Sequence, residues 1–267
     1  MTAHTATHPN KLSRREQTAE PDQQMFGKTA LVVGATGVTG HALLECLLTH
    51  PNYSKVIAFS RRPMHLDHPR LTVHVVDFDH VDRWANLLRG DELFSALGTT
   101  LKLAGSKQAQ YKVDFSYQLA IAEAARANDV QRLFLVSSPG ANPDTRNFYL
   151  RVKGELDHAV QELCFDHCVL IKPSLIEANR PDSRPGEKIA GIALRKLASA
   201  IPPLRRLQPI TAQELASAIV SIAQHTLEPG RSEYQLDDLF DFVEHTSVKP
   251  ERIGEQKRRR SIRQLQR

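Results

Sequence analysis

From residue 28 onward the chain alternates short apolar runs with longer stretches in which apolar residues recur every three or four positions. Thr29-Ala30-Leu31-Val32-Val33 opens the series; Lys55 to Ser60, Leu71 to Val76, Asp91 to Leu97, Arg132 to Val136 and Cys168 to Pro173 repeat it. Runs of this length, bounded by Gly, Pro, Ser and Asp, predict buried strands. Between the first two, Leu43, Leu44, Leu47 and Leu48 share a helical face that ends near His50-Pro51-Asn52. Val81 to Arg89 predicts another helix, Lys102 to Gln110 a polar loop, and Tyr111 to Asn128, with Leu119, Ile121 and Ala125, a long helix. This alternation is the signature of an α/β fold with a single doubly wound parallel sheet of Rossmann-like type, whose ligands lie at the carboxyl ends of the strands.

The flanks read differently. Met1 to Met25 shows no periodicity and is expected to be a disordered lead, with the fold beginning near Phe26. After Pro173 the chain is irregular to Gly186, then helical from Glu187 to Ala200 until Ile201-Pro202-Pro203 breaks it, forming a small substrate-side extension from about residue 174. Thr211-Ala212-Gln213-Glu214 is a capping box opening a helix from Leu215 to Gln224, and Glu233 to Leu236 predicts an edge strand. The organisation is thus one domain over residues 26–246 and a basic tail over 247–267.

Composition narrows the class. With 267 residues, 41% of them hydrophobic, the chain can bury one sizeable core. No apolar stretch approaches the roughly 20 residues that span a bilayer, and the N-terminus lacks the apolar core of a secretory signal, so a cytoplasmic protein is expected. Cys46, Cys164 and Cys168 are odd in number and fall within predicted helix or strand, which speaks for a reducing compartment. Cys164-Phe165-Asp166-His167-Cys168 lacks a second ligand pair, so no metal is expected. Six of the positive charges behind the formal +5 are Lys257, Arg258, Arg259, Arg260, Arg263 and Arg267; without them the remainder is near −1. The basic character belongs to the tail, either a solvated end or a handle for an anionic or protein partner, and no specific nucleic-acid surface follows.

Candidate chemistry begins where the first strand meets Gly34-Ala35-Thr36-Gly37-Val38-Thr39-Gly40. Glycines at G-x-x-G-x-x-G spacing between strand and helix let the backbone turn tightly, approach a pyrophosphate and present the helix N-terminus to it. An acid at the end of the second strand would bind the ribose 2′-hydroxyl of NAD; here Ser60, Arg61 and Arg62 offer a hydroxyl and two guanidiniums suited to a 2′-phosphate, which favours NADP(H) over NAD(H). Asp77-Phe78 closes the third strand, with Asp77 either near the adenine amino group or capping a helix. Gly98-Thr99-Thr100 closes the fourth with small residues beside which a cofactor can lie. Ser137 and Ser138 close the fifth, and Tyr149 and Lys153 then stand one helical turn apart. Carbonyl reduction needs a proton at oxygen as hydride reaches carbon: a tyrosine whose pKa is lowered by a nearby ammonium can supply it, and a serine can polarise the same oxygen.

Through G-A-T-G-V-T-G, S-R-R, V-D-F, A-L-G-T-T, V-S-S-P-G-A, F-Y-L-R-V-K-G-E and S-R-P-G-E the sequence, from Phe26 to about Ala223, resembles the short-chain dehydrogenase/reductases. The likeness is to the atypical branch that includes the Tat-interacting-protein oxidoreductases. The resemblance implies Tyr149 as proton donor or acceptor, Lys153 as its pKa-lowering partner and nicotinamide-ribose ligand, and Ser138, with Ser137 as alternative, as the carbonyl-polarising hydroxyl. It also implies Leu97 and Gly98 beside the cofactor and Arg184 near its nicotinamide or phosphate side. The chain departs from the family at Pro173-Ser174, where many relatives have Pro-Gly, and in its longer basic tail. The expectation is an NADP(H)-dependent oxidoreductase acting on a small carbonyl or alcohol. The alternatives are an NADP(H)-sensing regulatory protein and, more weakly, a nucleotide-sugar epimerase or dehydratase.

Overall fold

Strand β1 (Lys28–Val33) is apolar on both faces because both faces are covered, and Ala30 to Val33 are wholly buried. The computed structural model, which describes residues 27–177, 208–225, 227–236 and 238–243, places β1 third in a seven-stranded sheet. On one side lie β2 (Tyr53–Ser60) and then β3 (Leu71–Val75). On the other lie β4 (Glu92–Ser95), β5 (Arg132–Val136), β6 (His167–Lys172) and, after the short ribbon of β7 (Ile176–Glu177) and β8 (Ile210–Thr211), the edge strand β9 (Gly230–Gln235). Every pairing in the sheet is parallel. Chain order reverses between β1 and β4, so the crevice outside their carboxyl ends is the topological switch point.

Alternate strand residues feed two cores. Ala30, Val32, Val56, Ala58, Phe94 and Val169 pack under α1 (Val38–Thr49), with its four predicted leucines, and under the last long helix, α6 (Ala212–Gln224). Leu31, Val33, Ile57, Phe59, Leu133 and Leu170 face the opposite way, against α4 (Tyr117–Ala127) and α5 (Phe148–Gln161). The capping box is present: Thr211 accepts from the Glu214 amide and Glu214 from the Thr211 amide. A closing helix, α7 (Asp238–Val243), adds Leu239 to the first core.

Three stretches differ from the periodicity reading. Residues 81–89 form two short 3-10 turns, Phe78–Arg83 and Ala85–Leu87, instead of one helix. The cause is Trp84, which is buried, stacks on Phe59 at 5.2 Å and donates its indole N–H to the Asp77 carbonyl at 2.8 Å, breaking the helical path. The expected loop over 102–110 is two small helices, α2 (Leu101–Ala104) and α3 (Lys107–Tyr111). Thr100 and Ser106 cap them, and Gly105 ends the first at φ +82°. The expected long helix over 111–128 is interrupted by a π-turn at Lys112–Ser116, which swings Asp114 inward and buries it. Cys164, assigned to regular structure, stands exposed in the turn after α5 at φ +54°. The lead, the 187–200 helix, Arg184 and the basic tail lie outside the described residues.

The amino end of the sheet is tied by one carboxylate. Glu92 opens β4, is wholly buried, and accepts from Lys28 Nζ at 2.7 Å, from Tyr53 Oη at 2.6 Å and from Arg132. β1, β2, β4 and β5 therefore share one anion. Arg132 also donates to the Ala223 carbonyl and Gln224 to Tyr53 Oη, which fastens the end of α6 to the same knot. Glu92→Ala leaves buried cationic and phenolic partners unmatched and is expected to lower unfolding stability by about 3 kcal/mol in urea denaturation, with Glu92→Gln losing less.

Candidate functional site

The crevice starts at the turn after β1. Gly34 has φ +85°, and a Cβ there would sit 2.5 Å from the Ala96 carbonyl carbon and oxygen, because β4 passes close behind the turn. A Cβ on Gly40 would lie 2.1 Å from Gly34 O, whereas one on Gly37 meets the same oxygen at 3.3 Å. Gly37 N–H donates to Gly34 O at 2.9 Å and closes the loop. No side chain caps α1 and no acid occupies its first turn, so its leading amides and positive dipole end are left for an anion. Thr36, Gly37 and Val38 are exposed on the turn, while Ala35 is buried beneath it and Thr39 half-buried.

The ends of β2, β3 and β4 form the outer wall. Ser60 is buried and donates to the Arg62 carbonyl at 2.5 Å, so its hydroxyl shapes the turn while Arg61 and Arg62 extend into solvent. Of the two roles open to Asp77, the structure shows the cap: it accepts from the Asp79 amide at 2.9 Å and meets His80 Nδ1 at 2.8 Å. Those two contacts hold its carboxyl below the ordinary range. Phe78 lies in the core against Trp84 and Tyr117. Leu97 packs partly into the same core. Gly98 is exposed, and a Cβ added there would meet only Asp114 Oδ1, at 3.6 Å. The protein's own packing does not demand glycine at 98, and the space is left open toward the crevice.

The inner wall is made by the end of β5 and by α5. Asn147 caps α5 by accepting from the Leu150 amide at 3.1 Å, which sets Tyr149 in the first turn. Tyr149 is 38% exposed, whereas Lys153 is buried with Nζ donating to the Val136 carbonyl at 3.2 Å. Burial raises the Tyr149 pKa, the Ser138 hydroxyl lowers it, and Asp114 and Asp157 raise it, for a net rise. Ser138 is the group that draws this phenol down. A phenol held above its ordinary value stays protonated through neutral pH, the form that donates. Burial lowers the Lys153 pKa, opposed by Asp114 and then Asp157. Ser137 is buried beneath Ser138, which leaves Ser138 the accessible hydroxyl.

Two charged residues of this wall were absent from the sequence reading. Asp114 accepts from the Thr99 amide at 3.0 Å and from Gln110 Nε2 at 3.1 Å, so it links the end of β4 to α3. No sequence signal announces the π-turn that turns it inward. Asp157 follows Lys153 by four residues, a spacing that was legible. Among the described residues no group of three or more His, Cys, Asp or Glu could hold a metal, and no helix is long and apolar enough to cross a membrane.

Comparison with known proteins agrees with this geometry. A family described as NAD(P)H-binding matches residues 34–186. Protein HTATIP2 of Rattus norvegicus is 35% identical over 185 residues, covering 68% of this chain and 74% of that protein. The mitochondrial protein FMP52 of Saccharomyces cerevisiae is 35% identical over 158 residues, covering 58% and 68%. Among solved structures, MoeE5 in complex with UDP-glucuronic acid and NAD superposes with TM-score 0.59 at 15% identity, covering 83% of each chain. A short-chain dehydrogenase/reductase superfamily protein from Agrobacterium tumefaciens with bound NAD superposes with TM-score 0.58 at 14% identity, covering 78% and 77%.

The glycine geometry yields a graded expectation. Gly40→Ala forces its Cβ into the Gly34 carbonyl and should weaken NADPH binding by about tenfold or more in a fluorescence titration, while Gly37→Ala, with room to adjust, should lose much less. Equal losses at the two positions would contradict the cradle as described.

Proposed function

Because this chain belongs to the NAD(P)H-binding family, we propose that it is an oxidoreductase transferring hydride between NADP(H) and a small carbonyl or alcohol substrate. The observation that carries the reading is the placement of Tyr149 and Ser138 together at the carboxyl ends of the strands, facing the crevice that the Gly34–Gly40 turn opens, with Lys153 buried behind them. Shared membership supplies the dinucleotide; the tyrosine and serine supply a reason for chemistry.

The residues fit such a cofactor at three places: an uncapped helix N-terminus for the pyrophosphate, two solvent-facing arginines for a 2′-phosphate, and open space at Gly98. The nicotinamide contributes hydride chemistry when bound. Ser138 then orients the substrate oxygen and Tyr149 gives it a proton in reduction or takes one in oxidation. The Lys153 ammonium lies behind them as the positive charge of the inner wall, on the side where the resemblance puts the nicotinamide ribose. In this reading Arg184 is a further cofactor-binding residue.

A second reading, an NADP(H)-sensing protein with little turnover, draws support from the raised Tyr149 pKa, which disfavours the phenolate needed to oxidise an alcohol. The nucleotide-sugar reading stays behind both, since the UDP-sugar-bound neighbours share no more than 16% identity with this chain and speak for the fold alone. The three free thiols suit a reducing compartment. The cytoplasm meets that condition and so does the mitochondrion, which the yeast relative's name carries.

Two measurements test the proposal. Tyr149→Phe should keep NADPH affinity within about twofold and reduce carbonyl-dependent NADPH oxidation by at least about a hundredfold, the usual scale of an acid–base contribution; unchanged turnover would sink the assignment. Changing Arg61 and Arg62 together to alanine should weaken NADPH by about tenfold or more and leave NADH nearly unaffected, because only NADPH carries the 2′-phosphate.

A further inference from the structure

The face of α5 that carries Tyr149 and Lys153 continues one turn further to Asp157, which the hydride chemistry above does not use. Asp157, Lys153 and Lys172 are all buried. Asp157 Oδ2 lies 3.2 Å from Lys172 Nζ at the end of β6, and the same ammonium lies 2.9 Å from Glu233 Oε2 on β9. Arg231 holds that Glu233 oxygen at 2.9 Å from the exposed edge. Charges therefore alternate from the crevice wall to the surface of the sheet. Burial raises the Asp157 pKa, and Ser137 and Lys172 oppose it through their side-chain contacts, although neither contact reaches full hydrogen-bond geometry.

A buried carboxylate with spare lone pairs is a poor way to stabilise a fold, since an apolar residue of similar size usually does as well or better. A buried ammonium at 3.2 Å, that of Lys172, and a second one turn earlier on the same helix, that of Lys153, give the carboxylate a reason. Asp114, the other anion near Lys153, has its oxygens engaged by Thr99 and Gln110, whereas Asp157 faces the Lys172 ammonium at 3.2 Å. We propose that Asp157 is a positioning residue: its carboxylate is the counter-charge shared by Lys153 and Lys172, and it keeps Lys153 an ammonium at the inner wall of the crevice. The inference rests on the oxidoreductase reading only for what that ammonium serves; the charge assignment stands on the buried cluster itself.

Among the described residues, the charged and titratable groups facing this cluster are few. Asp114 comes from the π-turn, Tyr149 and Asp157 from α5, Cys168 and Lys172 from β6, and Glu233 and Arg231 from β9. Cys168 is pushed up to about 11 by burial and then by Asp157, so it carries no charge at neutral pH. Burial drives Lys153 toward its neutral form, with Asp114 and Asp157 opposing. Removing the Asp157 charge must lower the Lys153 midpoint further.

The test is a pH titration of the Lys153 ammonium by NMR on the full chain with 15N-labelled lysine, the signal assigned through its loss in Lys153→Met. In Asp157→Asn the midpoint should fall by about one pH unit or more, a tenfold loss of proton affinity, and Asp157→Glu should return it most of the way. NADPH affinity of Asp157→Asn should fall about tenfold at a pH between the two midpoints and match wild type well below both. A midpoint in Asp157→Asn that superimposes on wild type overturns the proposal. Should that variant melt below the assay temperature, Lys172→Met decides: removing the rival ammonium should raise the midpoint, and an unchanged or lowered one overturns the proposal. A shifted midpoint in a protein that turns over no carbonyl supports this inference while the oxidoreductase reading fails. Turnover with an unmoved midpoint does the reverse.

Discussion

The backbone crossing at the end of β1 is the constraint on which the site depends. Gly34 turns left-handed against the Ala96–Leu97 backbone, and Gly40 brings the first turn of α1 against the Gly34 carbonyl, both at distances that exclude a Cβ. Close contact of this kind fixes the direction of α1 relative to the sheet, and hence where its free amides point. With α1 fixed, the Leu43–Leu48 face meets the sheet and α6 in one core. The remaining strands then need only follow the parallel register to bring their carboxyl ends to the same crevice.

Electrostatics divides the molecule along the strand direction. At the amino end, Glu92 gathers Lys28, Tyr53 and Arg132, although Arg132 Nε is left without a hydrogen bond. At the carboxyl end, Asp114, Lys153, Asp157 and Lys172 form a buried cluster in which some polar atoms are left without hydrogen bonds. A better satisfied knot adds stability and specifies how strands align; a less satisfied one costs stability and is retained where charge is needed. This contrast, between two charge clusters joined by the same strands, separates the scaffold from the working end.

The sequence errs where a local pattern yields to a distant side chain. Val81 to Arg89 has helical periodicity, but the buried Trp84 ring stacked on Phe59 forces two 3-10 turns. Lys102 to Gln110 reads as loop by composition, yet the Thr100 and Ser106 hydroxyls cap two helices there, a signal that was present and outweighed by polarity. Asp77 was open between two roles until His80 and the Asp79 amide were seen to occupy it.

The sequence by itself determined the order of strands and helices, the glycine turn, the arginine pair after β2 and the Tyr149–Lys153 spacing. Each of these is written in neighbouring residues: burial on both faces makes apolar runs, a turn without Cβ requires glycine, and helical repeat sets which residues share a face. Tertiary structure alone decided which charges meet. The inward turn of Asp114 depends on an extra residue accommodated in a π-turn, and the approach of Lys172 and Glu233 to Asp157 depends on β6 and β9 pairing across more than fifty residues of intervening chain. Charge acts through space and its strength depends on burial, so the balance of ions behind Lys153 exists only once the sheet has closed over it.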